Sequence, residues 1–205
     1  MLVESLARQI KDARLFEETR LNSWGTSSSA ACVDIARVYL ESGEVETSLS
    51  WLLKIPEGET FHKIERDNLL VEIYKIQGDK GKLTELLFRK FTSYVSVETL
   101  QELLEVVGQD KRDEIIEEQV SRIRNRQQLK ESDALFLFEV GKTQEAEDHV
   151  VAHAGQLNGS YYGTLIPLAE ALESDHRYFA ASLIYRSLLL SILDRAYAKA
   201  HHHGS

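Results

Sequence analysis

Glycines at 43, 78, 108 and 141 recur at intervals of about 30 to 35 residues, and each parts two stretches whose apolar residues keep three-and-four spacing. Asp175 takes the matching place in the last such pair. One hairpin of this size cannot bury its own apolar face, so neighbouring hairpins must stack to supply a core. This confines the chain to an all-α class, read here as a tetratricopeptide-like α-solenoid of about five stacked helix–turn–helix hairpins. Its hand, right-handed, is taken by analogy with such repeats. With 11 glycines and 2 prolines, turn residues are too sparse for an all-β chain.

The reading is of one helical-repeat domain, residues 1–205. A cap helix covers residues 1–21, with Leu2, Leu6, Ile10, Ala13 and Phe16 along one face. Degenerate repeats fill residues 28–155, and a terminal helix pair spans 161–200. Five residues past the turn, a small side chain recurs as Ser48, Ala146 and Ala180, which would let the second helix of a hairpin lie close against the first. Leu83 and Asp113 break that rule in the middle two units. In the last pair, Leu165, Leu168, Ala169 and Leu172 should face Ala180, Leu183, Ile184, Leu188, Ile192 and Leu193. The apolar periodicity runs close to Ala200 without a cap, so the natural chain is expected to continue. The closing HHHGS reads as a tag remnant, a vector scar or native sequence.

A net charge of −9 disfavours general binding to phosphate backbones or anionic membranes. Cys32 is the sole cysteine, so no internal disulfide can form and a reducing cytoplasm is the expected home. No run approaches the ~20 apolar residues a membrane-spanning helix needs. The first residues read as an amphipathic helix of mixed charge rather than a secretory signal.

The terminal pair carries a denser pattern. Leu168-Ala169-Glu170-Ala171-Leu172-Glu173 is followed by Ala180-Ala181-Ser182-Leu183-Ile184-Tyr185-Arg186-Ser187-Leu188-Leu189, then Ile192-Leu193-Asp194-Arg195-Ala196 and Lys199-Ala200. This resembles the C-terminal region of a bacterial family of unknown function, domain of unknown function 6880. The resemblance is dense over this pair and reaches the rest of the chain only as repeat rhythm. It implies a helical-repeat fold and carries no activity with it.

No residue cluster demands a particular chemistry. There is no nucleophile elbow, glycine-rich phosphate loop or zinc-finger spacing, so no catalytic residue, cofactor or metal is expected. His149 and His153 have the spacing of two ligands on one helix, yet Val150 stands where a zincin would carry its glutamate and no third ligand is evident. They read as ordinary helix histidines. Cys32 reads as a small buried residue. Trp51 reads as partly core, and Trp24 either as an interface anchor or as packed on the cap helix.

Arg112, Arg122, Arg124, Arg126 and Lys130 form the one basic concentration, without the interleaved aromatics that single-strand binding calls for. Tyr185, Arg186, Arg195, Tyr197 and Lys199 give the last helix a polar side suited to an anion or a peptide. The plainer reading packs Tyr185 and pairs Arg186 with Glu170 or Glu173.

The expectation is a non-enzymatic interaction module that holds a protein or peptide, basic in keeping with the acidic surface, in a groove lined by the first helix of each hairpin. Arg37, Glu41, Arg66, Asn68, Glu72, Tyr162 and Glu170 are the candidate lining, with Arg186, Arg195 and Lys199 on the terminal face. The alternative is an accessory domain of a nucleic-acid-processing system, docked through residues 122–130 and 186–199. Nucleic acid is the less expected partner, and no membrane is expected.

Overall fold

The computed structural model describes residues 2–10, 12–24 and 28–202, with the side chains of residues 2, 3, 23, 24 and 198–202 outside the description. Trp24 and Lys199 therefore fall outside it as side chains. Among the described residues the chain is helical without strands. It divides into two compact units, Met1–Arg89 and Lys90–Ser205.

The first unit holds α1 (Leu2–Gln9), α2 (Ala13–Trp24), α3 (Ser29–Glu41), α4 (Val45–Leu52), α5 (Lys63–Gln77) and the greater part of α6 (Lys80–Ser93), within which the division falls. The expected single cap helix is thus two helices. Asp12 causes the break: its backbone N–H donates to the Ala7 carbonyl at 2.9 Å, closing α1, and its Oδ1 accepts from Leu15 N–H at 3.0 Å, opening α2. The change of axis turns Leu6 and Ile10 outward, while Ala7, Ala13 and Phe16 are buried with Ile35, Ala36, Leu52 and Ile73 in one core.

α3 begins at Ser28, whose hydroxyl accepts from Ala31 N–H at 3.3 Å. It packs on α4 around Ser48, which is fully buried and donates to the Ala36 carbonyl at 2.7 Å. That contact is what the small residue after the turn makes possible. Tyr39 reaches Glu17 of α2 through its hydroxyl, and burial foremost, then this bond, pushes its phenol well above the usual range.

In the second unit, α7 (Val97–Val107) starts with Ser96 and Thr99 capping each other's backbone N–H groups. α8 (Arg112–Arg124), α9 (Glu131–Glu139), α10 (Thr143–Ala152), α11 (Tyr162–Ser174) and α12 (Tyr178–His202) follow. Here the stacking is plain: α9 pairs with α10 and α11 with α12, while α9 lies on α11 and α10 on α12. Ala146, Ala180 and Ala181 are buried between these helices, with Leu165, Leu168, Leu172 and Ile184 around them. Arg177, the residue before α12, is held to α10 through Glu147 and Thr143 Oγ1.

Gly43, Gly78 and Gly141 all hold positive φ, and the N–H after each returns to the carbonyl five residues before that glycine's successor. In the last pair the left-handed residue is His176 (φ 61), not Asp175, and Arg177 N–H returns to Leu172 in the same way. The register therefore slips by one, and Ala181 stands where Ser48 and Ala146 stand earlier. A second departure lies at the far end. Ile192 and Leu193, expected in the core, are 55% and 54% exposed, because the partner helix α11 ends its cover near Leu188.

Candidate functional site

Two recesses collect six of the ten sequence-predicted residues. The first lies between α3 and α5 and encloses about 400 Å³. α3 contributes Arg37, Leu40 and Glu41, and α5 contributes Glu65, Asn68, Leu69 and Glu72. The α5 set follows the i, i+3, i+4, i+7 spacing of one helix face, which is why four separate polar and apolar residues converge. Four predicted residues, Arg37, Glu41, Asn68 and Glu72, meet here. Glu65 and Leu69 were missed, although the same spacing from Asn68 and Glu72 points to them, and Leu40 was missed although it stands three residues from Arg37 on α3.

Arg66 does not belong to the lining. It is buried, its guanidinium donating to the Pro56 carbonyl at 3.1 Å, with the buried carboxylate of Asp67 3.8 Å away. Two positions from Asn68 on a helix point to the other side, and there Arg66 holds the loop that enters α5. Tyr162 and Glu170 stand exposed on α11 in the second unit, away from these residues in chain and in unit.

The groove is acidic. Glu41 is 3.5 Å from Arg8 and Glu65 is 3.6 Å from His62, while Glu72 forms no ion pair among the described residues. Arg37 is its one guanidinium, forming no ion pair among the described residues, and its Nε is buried without a hydrogen-bond partner. Leu40 and Leu69 supply an apolar floor.

The second recess, about 650 Å³, lies between the loop at residues 154–160 and α12, and both Arg186 and Arg195 line it. The expected pairing of Arg186 with Glu170 or Glu173 does not form. Tyr185 takes Glu173 instead, its hydroxyl donating at 2.8 Å, and stays partly exposed.

The basic concentration at 122–130 is largely neutralised. Arg122 holds Glu118 at 2.5 Å, Arg124 holds Glu145 at 3.1 Å, and Arg126 holds the buried Asp133. Burial nonetheless raises the Asp133 carboxyl above the usual range, Arg126 offsetting only part of it. His149 is buried beside His153, ring centroids 4.5 Å apart, and its Nε2 has no partner. Burial first, then the charges of His153 and Arg126, lowers its pKa to about 4, so it is a neutral core side chain near neutral pH. No group of three or more His, Cys, Asp or Glu among the described residues could hold a metal ion. No helix among the described residues is long and apolar enough to cross a membrane.

Fold and recesses together define an all-α protein of paired, repeat-like helices. The chain belongs to the family of unknown function DUF6880, which it matches over residues 5–205. The resemblance carried by the terminal helix pair thus extends across nearly the whole chain. No curated protein and no solved structure matches it.

Proposed function

We propose that this protein is a non-enzymatic, cytoplasmic module of tetratricopeptide-like hairpins, and that it binds a basic peptide segment of a partner protein between α3 and α5. The observation that carries this is the convergence of Arg37, Glu41, Glu65, Asn68 and Glu72 over Leu40 and Leu69. Glu72 forms no ion pair among the described residues, and Glu41 and Glu65 have their partners at 3.5 and 3.6 Å, so the carboxylates favour a Lys- or Arg-bearing segment, and the apolar floor receives the side chain beside it. Arg37 supplies the exception, a donor for a backbone carbonyl or a carboxylate of the same peptide. Asn68 can donate and accept at once, which suits extended backbone.

Nucleic-acid docking has less behind it, because Arg122, Arg124 and Arg126 already hold carboxylates. Random-peptide display on the purified protein tests the reading. Enriched sequences should carry Lys or Arg beside an aliphatic residue, and should not be recovered on a Glu41→Lys/Glu72→Lys variant. Acidic or charge-neutral enrichment, or recovery unchanged by that variant, would refute it.

A further inference from the structure

The recess on α12 has a distribution of charge that the rest of its unit lacks. Within residues 90–205, Arg112, Arg122, Arg124, Arg126 and Arg177 each lie within ion-pair distance of a carboxylate. Arg186 and Arg195 are the exceptions. Neither forms an ion pair among the described residues, and both line the same recess. Arg195 only returns its Nε to the Ser191 carbonyl, at 3.1 Å. In a chain of net charge −9, two guanidiniums that line one recess without an ion pair mark a place of positive potential. Asp194 lines the recess as well and pairs with neither arginine, so the lining keeps one net positive charge.

The opposite wall is built rather than incidental. Gly159 is buried so close to α12 that a Cβ there would lie 2.2 Å from the Ser187 carbonyl oxygen. Ser187 in turn donates from its hydroxyl to the Leu157 carbonyl at 3.0 Å. Asn158 closes a local turn by accepting from the Ser160 N–H at 3.0 Å. The loop is thereby pinned along α12, and Leu157, Leu183 and Leu190 give the recess an apolar side. The arginines are nine positions apart, about 14 Å and about two and a half turns of helix, so they line different parts of the recess, and a volume of this order suits a small molecule.

We propose that this recess binds a small free organic anion, an oxyanion carried on a short apolar body. The oxyanion is held by Arg186, whose planar donors match carboxylate and phosphate alike, Arg195 adds positive potential from farther along the helix, and the apolar body lies along Leu157 and Leu190. The site is independent of the peptide groove, so either proposal can fail alone.

Isothermal titration at low ionic strength tests it, with butyl phosphate, pentanoate and inorganic phosphate as probes. Butyl phosphate should bind ~10-fold more tightly than inorganic phosphate, the gain expected from two buried methylenes. Its binding should weaken at least ~10-fold in Arg186→Gln/Arg195→Gln and with added salt, as pairing to an exposed guanidinium requires. Arg112→Gln/Arg122→Gln makes the same change of charge elsewhere and should bind as the unaltered protein does. All four positions are exposed, so unchanged circular dichroism is expected throughout.

Absence of binding by both organic probes, binding that survives loss of Arg186 and Arg195, or equal loss in the control pair would overturn the proposal. Co-sedimentation with phosphatidylglycerol vesicles separates a lipid headgroup from a free ligand. None is expected, and sedimentation abolished by the Arg186/Arg195 change would overturn the free-ligand assignment.

Discussion

Acidification should weaken this protein through His149. Its pKa is about 4 when folded against 6.5 as a free side chain, so between those values the unfolded chain binds the extra proton. Stability is therefore full above 6.5 and is lost as pH falls toward 4. Over the whole window the shift amounts to about 3 kcal/mol, and going from about pH 7.5 to about pH 5 removes about 2 kcal/mol of it. At a urea dependence of about 2 kcal/mol per molar, the midpoint should move down by about 1 M. His149→Leu removes the titration, and its nearly equal volume leaves the buried site filled. Urea melts followed by circular dichroism at both pH values, on both proteins, supply the comparison. Asp133, whose pKa is raised by burial, changes stability in the opposite sense as pH falls, but it is common to both proteins and cancels in the difference. Parallel pH dependence in the two proteins would refute the reasoning.

Three further outcomes follow from buried contacts at Ser48 and Asp133 and from the backbone at His176. Ser48→Val puts two methyl groups in place of one hydroxyl where Ser48 is wholly buried and bonded to the Ala36 carbonyl, and should cost about 1–3 kcal/mol in thermal melts, whereas Ser48→Ala should cost under about 1.5 kcal/mol. His176→Gly should raise the melting temperature by relieving about 1 kcal/mol of left-handed strain, less whatever the hydrogen bond between its Nδ1 and the Tyr178 hydroxyl contributes. Arg126→Ala leaves the Asp133 carboxylate buried without its partner and should cost about 3–5 kcal/mol in urea melts, most of which Asp133→Asn in the same chain should restore.

The all-α class and the helix pairs were legible because each turn residue is flanked by apolar residues at helical spacing. The close-packing role of Ser48 and Ala146 was legible too, since a small side chain in an otherwise large-residue stripe has few other uses. The split at Asp12 was not, because Leu6, Ile10 and Ala13 keep helical spacing across it while one cap breaks the axis. His176 escaped notice for a similar reason. Asp is the commoner turn residue, and only backbone geometry shows which of two neighbours takes the left-handed place.

At the candidate groove, four lining residues were legible from the exposed faces of α3 and α5. Arg66 was misplaced because a charged residue is assigned outward by default, and its partners, the Pro56 carbonyl and Asp67, are recognisable only once the loop has folded back. The unpaired state of Arg186 was equally invisible, since the competing bond from Tyr185 to Glu173 depends on the placement of two helices.

The most direct test of the peptide groove is a titration of isotopically labelled protein with a display-selected basic peptide, followed by amide chemical shifts. The account predicts saturable shifts at Arg37, Leu40, Glu41, Asn68 and Glu72, with those of α11 and α12 unmoved. Shifts confined to the second unit, or spread without saturation over the surface, would contradict it.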